Sequence, residues 1–381
     1  MKKKRGKKRH APSKPSSRKG RTRPSSKSGS KRQAKPKKRN GKASTSKKKA
    51  RPSRKKADSC AALARLRRIR EGSLYLITKK TNDDRFVLRP DGTVNDALLY
   101  LLILKLRKYG LRIHAFVVMS NHIHLVVTDV RGTLPKFMRE FLSETGKAIK
   151  VAIGTTCRIW SPERYSAVEV LDRDAALRAI SYCQTNPTEA GLTLPEDWPG
   201  LTSAIYKFGG TLTAHKPGFY FGANRPDSVS CRLSPLPETI GHAKQSQETK
   251  KQQSAEAELR AYREQCTLLQ AAIEKRVAES VDEILRKRRE KGRPKLAGPD
   301  AVMAAPRSQR GNHPFRGNNP KFMTRDRELM EQEIAEYKGF CVAHGQAKES
   351  YIGGKKNVLF PYGTYGYREL LRVNVRKGGA A

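Results

Sequence analysis

Met119-Ser120-Asn121-His122-Ile123-His124-Leu125-Val126-Val127 is the stretch on which the fold turns. In an extended strand alternate residues share a face, so His122 and His124 point one way while Ile123 and Leu125 point the other. Leu111–Met119, just upstream, is equally β-rich. Ser120-Asn121 is therefore expected to be the tight turn of a hairpin, with the Asn in a turn position. Two neutral imidazoles on one side of a strand are a natural half-site for a divalent metal. Taken alone, a His-x-His pair is more often an ordinary surface or packed feature.

The pattern extends in both directions. Upstream, Leu74, Leu76 and Thr78 alternate with Tyr75, Ile77 and Lys79, as a half-buried strand requires. Asp91-Gly92 reads as a turn, and Thr93 or Asn95 as the cap of a helix running to about Tyr109, where Gly110 stops it. That helix is apolar nearly all round (Ala97, Leu98, Leu101, Leu102, Leu104), which suits packing against a sheet. Downstream come a second helix at about 134–153, a strand-like run over 158–170, and a third helix from Asp172. This last helix is expected to end at Asn186-Pro187, because the residue before a proline is pushed out of helical geometry. Strand–helix–strand–strand–helix–strand plus a further helix predicts an α+β fold: a ferredoxin-like antiparallel sheet covered by helices.

The third helix carries the other reactive group. At 100° per residue, Ala175, Ala179, Tyr182 and Asn186 form one stripe. The alanines leave room for the phenol, and Asn186 sits one turn beyond it. A core tyrosine followed by a capping Asn would look the same. A phenol is a poor nucleophile at neutral pH. It becomes useful where a metal polarises the electrophile and a positive field stabilises the phenolate.

The charge supplies such a setting. The 381 residues hold 80 Lys and Arg against 35 Asp and Glu, a formal net charge of +45. A field of that size points to a polyanion, nucleic acid foremost, and argues against an enzyme of small metabolites. Residues 1–57 contain 27 of the cations and no acid, interspersed with Ser, Pro and Gly. They are expected to be a disordered polybasic tail that holds DNA nonspecifically. The remaining residues are still basic, with 53 cations against 35 anions. The longest apolar run, Ala97–Leu104, is too short to cross a membrane, and no apolar segment follows the basic N-terminus as in a secretory signal. Six cysteines without a Cys-x-x-Cys pair suit reduced thiols in a cytoplasmic setting.

The expected organisation is a basic lead-in helix at 58–72, a central domain at 73–208, a Gly/Pro-rich linker at 209–253, an amphipathic helix at 254–290 and a basic, partly ordered extension at 291–381. The stripe on the long helix (Leu259, Tyr262, Cys266, Leu269, Ile273, Val277, Val281 and Ile284) suits a core or a homodimer face. A further helix is expected near 324–338. Lys79, Lys80 and Arg85 after the first strand, and Arg139, Lys147 and Lys150 on the second helix, are candidate contacts for DNA phosphates.

Met119–Val127 resembles the Met-Pro-Asn-His-hydrophobic-His motif of single-tyrosine HUH transposases, with Ser120 in place of the usual Pro. Tyr182-Cys183-Gln184-Thr185-Asn186-Pro187-Thr188-Glu189-Ala190-Gly191-Leu192 resembles their tyrosine helix and the segment that follows it. Ile159-Trp160, Arg164-Tyr165 and Ser203-Ala204-Ile205-Tyr206 fall where the REP-associated branch has similar residues. The resemblance spans about residues 72–208. It implies an HUH endonuclease fold, with Mg²⁺ or Mn²⁺ held by His122, His124 and Asn186. It also implies attack by Tyr182 on single-stranded, hairpin-forming DNA through a 5′-phosphotyrosine, and a protein of the bacterial cytoplasm associated with the nucleoid. Two other functions compete with a strand transferase. One is a noncatalytic nucleic-acid-binding protein on a ferredoxin-like sheet, although the aromatic signature of RNA-recognition strands is missing. The other is a metal-dependent phosphodiesterase that uses water and leaves Tyr182 dispensable.

Overall fold

The computed structural model describes residues 66–238, 240, 255–311 and 320–376. The basic tail at 1–57 and the first part of the expected lead-in helix lie outside them. The order of elements is β1 (Ser73–Lys80), α1 (Gly92–Tyr109), β2 (Leu111–Val118), β3 (His122–Asp129), α2 (Leu134–Ala152), β4 (Ser166–Val170) and α3 (Arg173–Glu189). There follow β5 (Thr211–His215), β6 (Ser228–Arg232), α4 (Ala255–Glu290), α5 (Pro299–Ala304), β7 (Phe322–Met323) and α6 (Arg327–Ile352). The result is a mixed α and β structure around a five-stranded sheet in the order β2-β3-β1-β4-β7. All neighbours are antiparallel except β4 and β7. No helix among the described residues is long and apolar enough to cross a membrane.

The hairpin forms as its sequence requires. Met119 N–H donates to His122 O at 2.8 Å across the Ser120-Asn121 turn. β1 then pairs with the other side of β3, setting Thr78 opposite His124 and Lys80 opposite His122. Asp91 caps α1, its side chain accepting from Val94 N–H at 2.8 Å, in place of the expected Thr93 or Asn95. Gly110 ends that helix in the left-handed region, with φ 68°. Asp172 caps α3 as expected. α3 nevertheless runs past Asn186-Pro187 to Glu189. Pro187 forfeits only one N–H so near the helix end, and burial of Pro187 and Thr188 holds the final turn.

The all-round apolarity of α1 has a specific cause. One side packs with α2, where Lys105 is buried against Glu140 and Glu144. The other side is covered by the β5–β6 hairpin and its connecting loop, whose Phe221 meets the Tyr100 ring at 5.2 Å. Tyr100 also donates its hydroxyl to Pro226 O at 2.7 Å. Residues 209–238 are thus a cover for the core, not the linker expected from their Gly and Pro content. The boundary expected at 208 disappears for the same reason: Leu212, Val229, Leu233, Cys266, Leu269 and Ile273 all belong to the one hydrophobic core. α4 lies along α3, with Arg276 reaching Asp174 at 2.7 Å and the Ser181 and Ser280 hydroxyls 3.2 Å apart. The middle of its apolar stripe is therefore used within the chain, while Leu259 stays exposed. α6 runs far beyond the expected 324–338, through Gly339 and Gly345, because Phe340, His344 and Ala347 are buried along it.

The 66–70 segment is bound to β4 and α6 by buried charge. Residues 66–70 are extended, not helical, and Ile69 N–H donates to Gly363 O at 3.0 Å. That path lets Arg70 reach Glu169 on β4 at 2.9 Å and Glu333 on α6 at 3.0 Å, while Arg68 reaches Glu333 at 2.7 Å. All four side chains are buried. Breaking a buried pair from one side leaves charge uncompensated and typically costs about 3–5 kcal/mol. Glu333→Ala is accordingly expected to lower stability by about 3 kcal/mol or more in urea unfolding. Glu336→Ala, at the half-exposed edge of the same network, is expected to cost less than about 1 kcal/mol.

Candidate active site

Strand alternation turns His122 and His124 toward α3, and their ring centroids lie 4.8 Å apart. His124 is buried, and its ring lies 5.1 Å from that of Tyr182, edge to face. One turn along α3, the Asn186 carboxamide bridges the two histidines. Its Oδ1 is 3.2 Å from His122 Nε2 and its Nδ2 is 3.5 Å from His124 Nε2. The four residues named from the sequence for catalysis and metal binding therefore meet at one place.

Each imidazole is oriented from behind. His122 Nδ1 lies 2.7 Å from Asn121 Oδ1. With that oxygen accepting, Nδ1 carries the proton, and Nε2 then faces Asn186 Oδ1 lone pair to lone pair, as two ligands of one cation do. The Asn121 amide is held in turn by close packing: a Cβ placed on Gly311 would come within 2.3 Å of its Nδ2. The turn is fixed by Thr81 N–H donating to Asn121 O at 2.8 Å and Leu88 N–H donating to Ser120 O at 2.9 Å. His124 Nδ1 lies 2.9 Å from Thr78 Oγ1, which fixes the second ring.

The donor set fits a divalent ion. Two ligands at right angles on an octahedral ion with bonds near 2.1 Å are separated by about 3.0 Å, close to the His122–Asn186 distance. Burial, with a smaller contribution from His122, holds the His124 imidazole well below its ordinary value, so that ring stays neutral and able to ligate. Among the described residues no three His, Cys, Asp or Glu side chains gather as a metal cluster. The set here is two imidazoles and a carboxamide, which leaves the full charge of an ion for an incoming anion.

These groups open onto a cavity of about 770 Å³ lined also by Lys79, Lys80, Asp83, Asp84, Arg164 and Glu189. Tyr182 is 41% exposed. Partial burial, then the neighbouring Cys183, raises its phenol above the ordinary value, while a hydrogen bond with Asn186 pulls the other way. A neutral phenol with access to solvent can meet a substrate that brings its own counter-charge.

The predicted basic residues divide. Lys80 lines the cavity, 3.3 Å from Asp84. Lys79 also lines it but is buried, its ammonium donating to Ser161 O at 2.7 Å and Glu163 O at 2.5 Å. Lys79 thus holds the 161–166 loop. Lys147 and Lys150 line an adjoining cleft together with Arg158. Arg139, exposed on α2, and Arg85, 3.7 Å from Asp83, line neither. Thr78, Glu189 and the orienting role of Asn121 escape the sequence reading. Glu189 alone carried a signal, at i+7 from Tyr182 on the same stripe; Thr78 joins the site only through the register of β1 against β3.

An NMR titration of the imidazole resonances tests the buried environment. His124 is expected to remain neutral at pH values well below 6.5, protonating only as the pH falls further. A His124 resonance that titrates at 6.5 or above would contradict that environment.

No family model matches the chain, and no curated protein matches it. Parts of two solved structures are similar to it. A REP-associated tyrosine transposase bound to a REP hairpin is 23% identical, the match covering 37% of this chain and 81% of that one with a TM-score of 0.31. A protein of Deinococcus radiodurans assigned as a transposase is 20% identical, over 28% of this chain and 81% of that one, with a TM-score of 0.22.

Proposed function

We propose that the chain is a metal-dependent single-stranded DNA endonuclease and strand transferase, a transposase of the HUH type acting at hairpin or palindromic sequences on the bacterial nucleoid. The observation that carries this reading is the meeting of Tyr182 with His122, His124 and Asn186 in one open cavity lined by both cations and acids. The strand order β2-β3-β1-β4, with the helix-forming residues between its strands, supports the ferredoxin-like form of the fold.

His122, His124 and Asn186 would hold Mg²⁺ or Mn²⁺, which when bound polarises a phosphate oxygen as a Lewis acid. Tyr182 Oη forms the new bond to phosphorus and gives up its proton. The bond from phosphorus to the 3′ oxygen breaks, and that oxygen leaves protonated. The phosphate stays on the 5′ side as a phosphotyrosine, and attack by another 3′-hydroxyl reverses the step, so rejoining needs no outside energy. Asn186 lies against both imidazoles and beside the phenol, which links nucleophile and ligand set through a single helix turn.

Wild type, Tyr182→Phe and His122→Ala are compared on labelled single-stranded hairpin oligonucleotides, with Mn²⁺ or with EDTA, on a denaturing gel. A metal-dependent, SDS-stable adduct is expected from wild type only, with Tyr182→Phe still binding DNA. Cleavage without an adduct would favour water as nucleophile. Binding untouched by His122→Ala or by EDTA, with no cleavage, would favour a noncatalytic binding protein.

The orientation of His122 gives a separate expectation. Loss of an outer-shell partner usually costs roughly 10–100-fold in metal affinity. Calorimetric titration with Mn²⁺ is expected to show Asn121→Ala at least roughly tenfold weaker than wild type, and His122→Ala without measurable binding.

A further inference from the structure

Next to the cavity of the candidate site lies a second, smaller cleft of about 280 Å³. Arg164 and Ser166 line both, so the two adjoin at that short stretch of chain. One wall of the cleft comes from the lead-in segment and the start of β4, and the other from the C-terminal extension. Each wall presents a cation laid on an aromatic ring. On the first, the Arg67 guanidinium lies 4.0 Å above the Tyr165 ring, and its Nη2 donates to Tyr165 O at 2.7 Å. On the second, Lys321 Nζ lies 4.3 Å from the Tyr337 ring and donates to the Tyr337 hydroxyl at 2.8 Å.

The charges in this cleft differ in kind. Arg68 and Glu169, which also line it, belong with Arg70 and Glu333 to a buried, matched network. Arg67 and Lys321 have no carboxylate within ion-pairing distance among the described residues; Arg67 is half-buried against its ring and Lys321 is exposed. An aromatic ring beside a free cation is how single strands are gripped: the base stacks and its phosphate is neutralised, without regard to sequence.

We propose that this cleft binds one nucleotide of the single-stranded DNA flanking the scissile phosphate, between the Arg67–Tyr165 and Lys321–Tyr337 pairs. The inference rests on the proposed function: it takes a strand whose phosphate sits at Tyr182 to continue past Arg164, which lines both spaces. It assigns a role to the extension, which supplies Lys321 and Tyr337 from outside the 72–208 region of the motif resemblance. The cleft would lengthen the strand the protein grips, adding affinity for a flank and none for the hairpin itself.

The test uses the full chain and one hairpin that carries single-stranded extensions of increasing length on its 5′ or its 3′ end. Binding is measured at several salt concentrations for wild type, Tyr337→Ala and Lys321→Ala. The second variant alters an exposed side chain and keeps the result interpretable if the first disturbs packing. Wild type is expected to gain roughly tenfold in affinity once the extension on one end reaches the cleft. Both variants are expected to lose that gain while binding the bare hairpin as wild type does. Lys321→Ala should reduce the slope of log affinity against log salt by about 0.7 on extended substrates, the value for one single-strand phosphate contact. An equal gain in variants and wild type, or no gain in wild type at either end, overturns the proposal. Adduct formation at Tyr182, followed in the same samples, separates the two readings. An adduct without an extension effect overturns the cleft alone; an extension effect without an adduct supports the cleft and counts against the tyrosine chemistry.

Discussion

The central placement of β3 governs the rest of this structure. It is flanked on both sides, by β2 through the Ser120-Asn121 turn and by β1 through a long antiparallel register. A strand hydrogen-bonded along both edges cannot slip, since a one-residue shift would drive Ile123 and Leu125 out of the core and both histidines into it. That lock holds the two imidazoles to one face and sets Thr78 behind His124. α3 then needs only to cross that face for Asn186 and Tyr182 to complete the site. The arrangement rests on a rigid sheet and one helix, with few loop residues.

Burial and charge are used differently in two parts of the molecule. At the site, burial keeps His124 neutral, and the nearby acids and lysines lie around the cavity rather than on the ring itself. At the opposite edge of the sheet, charges are buried in matched form, with Arg68 and Arg70 against Glu169 and Glu333. This second cluster is costly to desolvate and costly to break, so it specifies how the 66–70 segment meets β4 and α6. Its consequence is β7, which pairs with β4 and covers what would otherwise be an open sheet edge.

The C-terminal half is therefore structural as well as basic. Residues 209–238 cover α1, α4 braces α3 from outside, and Gly311 presses on Asn121. Gly311 is the clearest instance: no larger residue could approach the turn so closely without moving the amide that orients His122. The region outside the motif resemblance thus reaches the site at its second layer, through Asn121, and at its border, through the cleft beside Arg164.

By itself, the sequence determined the local elements and the reactive groups. Strand period put His122 and His124 on one face, helix period put Tyr182 and Asn186 on one stripe, and the Asp172 cap and Gly110 stop were readable because their physics is local. Only the tertiary structure decided the cap at Asp91, the continuation of α3 through Pro187 and the length of α6 through Gly339 and Gly345, because packing outweighed propensity at each. It alone decided that residues 209–238 are a cover, since Gly and Pro content marks turns equally in linkers and in hairpins. It alone turned Lys79 inward to the 161–166 loop and brought Thr78 to His124, because strand register and side-chain burial are set by contacts between residues far apart in the chain. The periodicities that place a residue on a face act over a few residues; the partner that face meets depends on the whole fold.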